Sequence, residues 1–188
     1  FMLPPGLAFV SVSDKAWAAI EKSRLPKFYY DFLAYRKSLA EKTTPYTTAV
    51  SLVIAASEAI EMMLEEGLDN IYARHRNLAE ACRAAVKAIG LQLFADEKHA
   101  SDLITAIKGP EGIDIEKVRK TMNLQYDIMI AGGQQHLKGK IIRIGHMGYV
   151  DGFDLIRTLI ALELSLSQEG FPIEPGTAVS AALKVLKM

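Results

Sequence analysis

From residue 49 to residue 90 the sequence keeps one helical pattern, interrupted only at Gly67 and stopped at Gly90. Residues 49–66 make a first helix. Beyond Gly67 the positions Leu78, Ala81, Cys82, Ala85, Val86 and Ile89 fall on one stripe at helical spacing, so a second, amphipathic helix is expected, capped by Asp69 or Asn70. A helix with one apolar stripe needs a layer to cover that stripe. Its length suits a spine connecting two domains.

The period changes after Gly90. Residues 91–95 and 101–108 read as strands, Gly109-Pro110-Glu111-Gly112 as a turn, 114–124 as a helix and 128–130 as a strand. The Gly132-Gly133 loop, a strand around Arg143 and a helix over 151–168 follow. In that helix Leu155, Leu159, Leu162 and Leu166 share one face, which is expected to lie on the sheet. Residues 172–176 break the chain before a short helix over 177–186. Residues 91–188 therefore predict a small α/β domain.

Ahead of the long helices, residues 6–12 (Gly-Leu-Ala-Phe-Val-Ser-Val) carry a buried-strand pattern. Ser13 or Asp14 can cap a helix to residue 22, and Asp31 another to about residue 41. A lone strand cannot bury both its faces. The sequence is therefore expected to begin inside a larger domain whose other strands lie upstream.

Composition removes several classes of function. Twenty-two basic and 22 acidic residues cancel without a long basic run, so neither a nucleic-acid footprint nor a polybasic membrane patch is visible. A single cysteine, Cys82, excludes an internal disulfide framework, and its helical neighbours make it a core thiol. No apolar run reaches the length of a bilayer span, and a cytoplasmic setting is expected. His75, His99, His136 and His146 are scattered without ligand spacing, so no metal is expected. The stretch from Gly133 to Lys140 resembles a phosphate-binding P-loop, but its glycines stand one residue too far apart and Ile141 replaces the required hydroxyl.

Two stretches carry residue types suited to chemistry. In Gly139-Lys140-Ile141-Ile142-Arg143-Ile144-Gly145-His146-Met147-Gly148 one arginine interrupts a β-branched run. A guanidinium matches a carboxylate as a planar fork. Its partner is an internal Asp or Glu, or the carboxylate of a bound small molecule; a solvated position on an edge strand is the third reading. The other stretch, Lys42-Thr43-Thr44-Pro45-Tyr46-Thr47-Thr48, is dense in hydroxyls and feeds a helix. Threonines there cap helix amides, and hydroxyls beside free amides also suit a phosphate.

Taken in order, the Phe-Met-Leu-Pro-Pro-Gly-Leu opening, the Thr/Tyr-rich loop, the Glu-Glu-Gly-Leu-Asp passage at 65–69 and the Arg-Ile-Gly-His-Met-Gly segment at 143–148 resemble the class V aminotransferases. The likeness is to the alanine–glyoxylate and serine–glyoxylate (serine–pyruvate) group and covers nearly the whole chain. It implies an α/β fold of type I that binds pyridoxal 5'-phosphate. Residues 1–67 would be the end of the large domain, 68–90 an interdomain helix and 91–188 the small domain with a mainly antiparallel sheet.

The resemblance also implies roles. Arg143 would clamp the substrate carboxylate, and Thr47, with Thr44, would reach the cofactor phosphate of the neighbouring subunit in a homodimer with shared sites. The family's Schiff-base lysine falls upstream of Phe1, so the chain is expected to be a carboxy-terminal portion that is inactive alone. The alternative is a non-catalytic dimerisation or regulatory module in which Arg143 is paired internally.

Overall fold

The computed structural model describes residues 1–187, and the chain divides into two compact units, Phe1–Met62 and Met63–Met188.

The first unit holds α1 (Asp14–Lys22), α2 (Phe32–Ala40) and the start of α3 (Val50–Glu66). Ser13 and Asp31 cap α1 and α2 with their side chains, as expected from residue type. Arg36 ties the two helices, lying 4.6 Å above the Trp17 ring and 2.8 Å from Glu21. Residues 6–12 form no strand, and Phe9 and Val10 are exposed. The β-branched pattern is present, but no described segment pairs with this backbone, and a strand without a ladder partner has nowhere to spend its amides and carbonyls.

The second unit contains α4 (Leu68–Ala88), β1 (Ile104–Lys108), α5 (Ile115–Tyr126), β2 (Ala131–Gly132), β3 (Ile141–Gly145), α6 (Gly152–Gln168) and α7 (Thr177–Leu183). Its sheet is antiparallel in the order β1-β3-β2, with Ala106 opposite Arg143 on one side and Ala131 opposite it on the other. Side chains alternate across a strand, so Thr105, Ile107, Ile142 and Ile144 all face one way, and all four are buried. They share one core with the stripes of α4 and α6, through Leu78, Cys82, Leu155, Leu159, Leu162 and Leu166, and the elements packed beside α6 are the helices α4, α5 and α7. The expected stripe of α6 is therefore fully used.

Several boundaries differ from expectation. The cap of α4 is Gly67 at φ +81°, with no side-chain bond, and Asn70 instead donates back to the Glu66 carbonyl at 2.8 Å. The strand expected over 91–95 shrinks to a single bridge from Leu93 to Ile107, because Asp96 caps a 3₁₀ turn directly after it. The strand expected over 128–130 moves to Ala131–Gly132. Asp127 takes the left-handed conformation that ends α5, and the Ile128 amide is spent on the Met122 carbonyl. Gly133 is needed where it stands, since a Cβ there would enter the Leu137 carbonyl.

Candidate functional site

Arg143 occupies the middle strand of the sheet, which removes the edge-strand reading. It points away from the core face, between the small side chains of Ala106 and Ala131. Its Nε donates to the Gly132 carbonyl at 3.0 Å. No carboxylate lies within ion-pair distance of it among the described residues. One guanidinium nitrogen is thus seated on the protein while the two terminal nitrogens remain free for a ligand. The Glu116 carboxylate is ion-paired with Arg119, its Oε2 receiving Nε and Nη2 at 3.1 and 2.9 Å.

The chain leaving β3 is pinned at successive points. His146 is buried, its Nε2 lies 2.9 Å from the Thr105 hydroxyl, and its amide donates to Leu103. Two residues on, the Gly148 amide donates to Nε2 of His75 at 3.1 Å. Arg74 then holds both the Gly148 and Val150 carbonyls through Nη1, each at 2.9 Å, and grips Glu66 through Nε and Nη2 at 2.6 and 2.8 Å. The Arg74 hydrogen bond lowers the Glu66 carboxyl, and Glu66 in turn raises Arg74. Sequence reasoning missed this latch. Its signal was an Arg-His pair where the α4 stripe demanded apolar residues.

Burial pushes His146 down from 6.5 to about 4, so it is neutral near pH 7 and acts as a structural histidine. The unfolded chain, with its ordinary value, binds a proton on the way down from pH 6.5 that the folded chain refuses. The His146 contribution is therefore complete above pH 6.5 and lost progressively as the pH falls towards 4. In urea denaturation, wild type should lose about 2 kcal/mol more than His146→Asn between pH 7 and pH 5. Equal slopes for the two would remove the burial argument. Cys82 is fully buried and its thiol is pushed up to about 11 by that burial, in keeping with a core role.

In the first unit, Thr44 and Thr47 line an open recess with Tyr29, Pro45 and Tyr46. Tyr29 stacks on Tyr46 at 4.7 Å, and the Tyr46 hydroxyl donates to the Phe28 carbonyl at 2.8 Å. The threonines do not cap α3 as their type allows. Thr44 donates its hydroxyl to the Tyr46 carbonyl at 2.8 Å, whereas Thr47 is exposed and its hydroxyl has no partner among the described residues. The Thr47 hydroxyl is thus free to donate. Arg143 belongs to the second unit and the threonines to the first.

Among the described residues no group of three or more His, Cys, Asp and Glu side chains gathers as a metal site, and no described helix is long and apolar enough to cross a membrane. No protein-family model matches the chain. It is 49% identical over 187 residues to the small subunit of a soluble hydrogenase of Synechococcus sp., covering 99% of this chain and 48% of that protein. It is 37% identical over 192 residues to the serine–glyoxylate aminotransferase of Methylorubrum extorquens, covering 99% and 48%. The crystal structure of pyridoxamine–pyruvate aminotransferase from Mesorhizobium loti superposes with a TM-score of 0.86 at 31% identity, over 93% of this chain and 46% of that one. The chain spans about half the length of the curated relatives it matches, and the matching half is the carboxy-terminal one.

Proposed function

We propose that this chain is the carboxy-terminal part of a class V aminotransferase, of the fold type I family that works with pyridoxal phosphate, and that the protein it forms part of transfers amino groups. The substrates of this reading are a small amino acid, alanine or serine, and a 2-oxo acid, glyoxylate or pyruvate. One observation carries it: an arginine on the middle strand, seated by a single nitrogen on Gly132, with its terminal nitrogens free and no internal carboxylate among the described residues. An arginine serving only a structural module would be expected to find an internal partner.

Arg143 receives the substrate carboxylate through its two terminal nitrogens, a paired contact that fixes both position and rotation of the amino acid. The bond to be broken at the α-carbon is then held in one orientation. Pyridoxal phosphate, when bound, acts as the electron sink for that bond. The residues present fit part of this group. Thr47 has a hydroxyl free to donate to a phosphate oxygen at the opening of α3, where backbone amides add to the attraction, while Thr44 must first release Tyr46. In this reading these threonines serve the cofactor of the neighbouring subunit of a homodimer.

The proton on the α-carbon requires a base that this chain does not supply. Lys15 and Lys27 do not match the family's lysine segment, and that lysine is assigned to the part of the protein outside this sequence. Residues 1–67 then complete the large domain, 68–90 join the domains, and 91–188 form the small one, in a cytoplasmic enzyme.

The test compares the whole protein with these 188 residues, each mixed with pyridoxal phosphate and treated with borohydride. The whole protein should acquire a visible absorption band and covalently retain the cofactor, and the 188 residues should do neither. Failure of the whole protein to retain it would leave the non-catalytic module as the better reading.

A further inference from the structure

Arg143 is aimed by a carbonyl, and the residue bearing that carbonyl is a glycine with a specific obstacle beside it. Gly132 forms the β2 edge next to β3, where its carbonyl takes the Arg143 Nε at 3.0 Å. Gly133 follows and donates to Ile141 at 3.0 Å, so the turn is tied to the same strand on both sides of that carbonyl. A Cβ on Gly132 would stand 2.6 Å from Glu116 Oε1 and 3.4 Å from Arg119 Nε. Gly132 is not in the left-handed region, so its backbone would accept alanine. A methyl group there would have to displace the Glu116 carboxylate.

The obstacle is the end of a side chain held in an ion pair. Glu116 and Arg119 lie one turn apart on α5 and form an ion pair, both partly buried. That pair forms a wall behind Gly132.

We infer that Gly132 is a positioning residue for the substrate-binding arginine: packed against the Glu116–Arg119 pair, it holds its carbonyl where Nε of Arg143 must meet it, and so turns the two terminal nitrogens outward as a fork for a carboxylate. The inference rests on the reading of Arg143 as the carboxylate clamp. A guanidinium tethered at Nε keeps its plane, and its paired contact is pre-organised. Without the tether the same charge swings, and the carboxylate must order it on arrival.

The experiment is a double-mutant cycle in the whole protein with cofactor bound. Gly132→Ala should lower kcat/KM for alanine about tenfold, chiefly through KM, with the cofactor absorption band unchanged. In an Arg143→Ala background the same substitution should cost less than about twofold, because no fork remains to be aimed. Equal losses in both backgrounds, or no loss in the first, would overturn the inference, since a general structural defect acts on both alike.

Glu116→Ala added to Gly132→Ala removes the wall and should restore kcat/KM to within about threefold. This pair also serves if the methyl group alone impairs folding, and a folded pair that remained tenfold low would overturn the inference. The parent reading is judged separately: if Arg143→Ala by itself leaves KM unchanged, the clamp and its seat fall together.

Discussion

Arg143→Ala in the whole protein is expected to raise the KM for alanine or serine about 10²–10³-fold, the equivalent of roughly 3–4 kcal/mol for a lost paired contact to a carboxylate. Affinity for pyridoxal phosphate should stay within about twofold, because no proposed cofactor contact involves this side chain. Arg143→Lys keeps the charge but loses the planar fork and the simultaneous bond to Gly132, so it should fall between wild type and alanine. Steady-state kinetics beside cofactor titration decides the matter. Equal loss of substrate and cofactor affinity would mean that the substitution damages the fold, and the clamp would then lose its support.

The second large effect is on stability. Glu163 lies on α6, is almost completely buried, and its carboxylate accepts the amides of Gly176 and Ala178. Those amides open α7, whose first position is preceded by Gly176 at φ +89° with no side-chain cap of its own. A neighbouring helix thus supplies the cap, with the favourable sign for a helix amino end. Glu163→Ala leaves the buried Ala178 amide and the Gly176 amide without their acceptor and should cost about 3 kcal/mol, whereas Glu163→Gln, which keeps one acceptor oxygen, should cost about half as much. Urea denaturation measures the loss, and hydrogen exchange in α7 should accelerate before exchange in α4. A loss under about 0.5 kcal/mol for the alanine variant would mean that water replaces the carboxylate.

What was legible in the sequence follows from how local each signal is. Ser13, Asp31, Asp114 and Asp151 each accept an amide two or three residues ahead, a contact contained within a single turn, and each was readable as a cap or helix start. The leucine stripe of α6 is similarly local. The segment at 6–12 shows the opposite case: a strand exists only by pairing, and its residues say nothing about whether a partner is present. At residues 128–130 a β-branched pattern lost to the helix before it, which used the Ile128 amide to finish its own end.

The site divides in the same way. Arg143 stood out because a charge among isoleucines is anomalous at close range. Its seat on Gly132 and the Glu116–Arg119 wall did not, because Glu116 and Gly132 meet only once α5 lies beside the sheet. Nor did the Arg74 latch, whose partners lie 8 residues away on one side and 74 and 76 on the other.

The strand order has a consequence for assembly. Among the three strands β1 and β2 are not neighbours; each is joined to the other only through β3, which comes last in sequence and enters between them, while the far side of β1 carries the Leu93–Ile107 bridge. Until that strand arrives β1 has only the short bridge to Leu93 and β2 has no partner strand, and the long closure from β1 across α5 must be completed before the three strands join. A chain ending before Ile141 therefore lacks both of the pairings that make the three-stranded sheet, β1 with β3 and β2 with β3. The strand that closes it is the one bearing Arg143, so the guanidinium is set in place by the same pairing that makes the sheet.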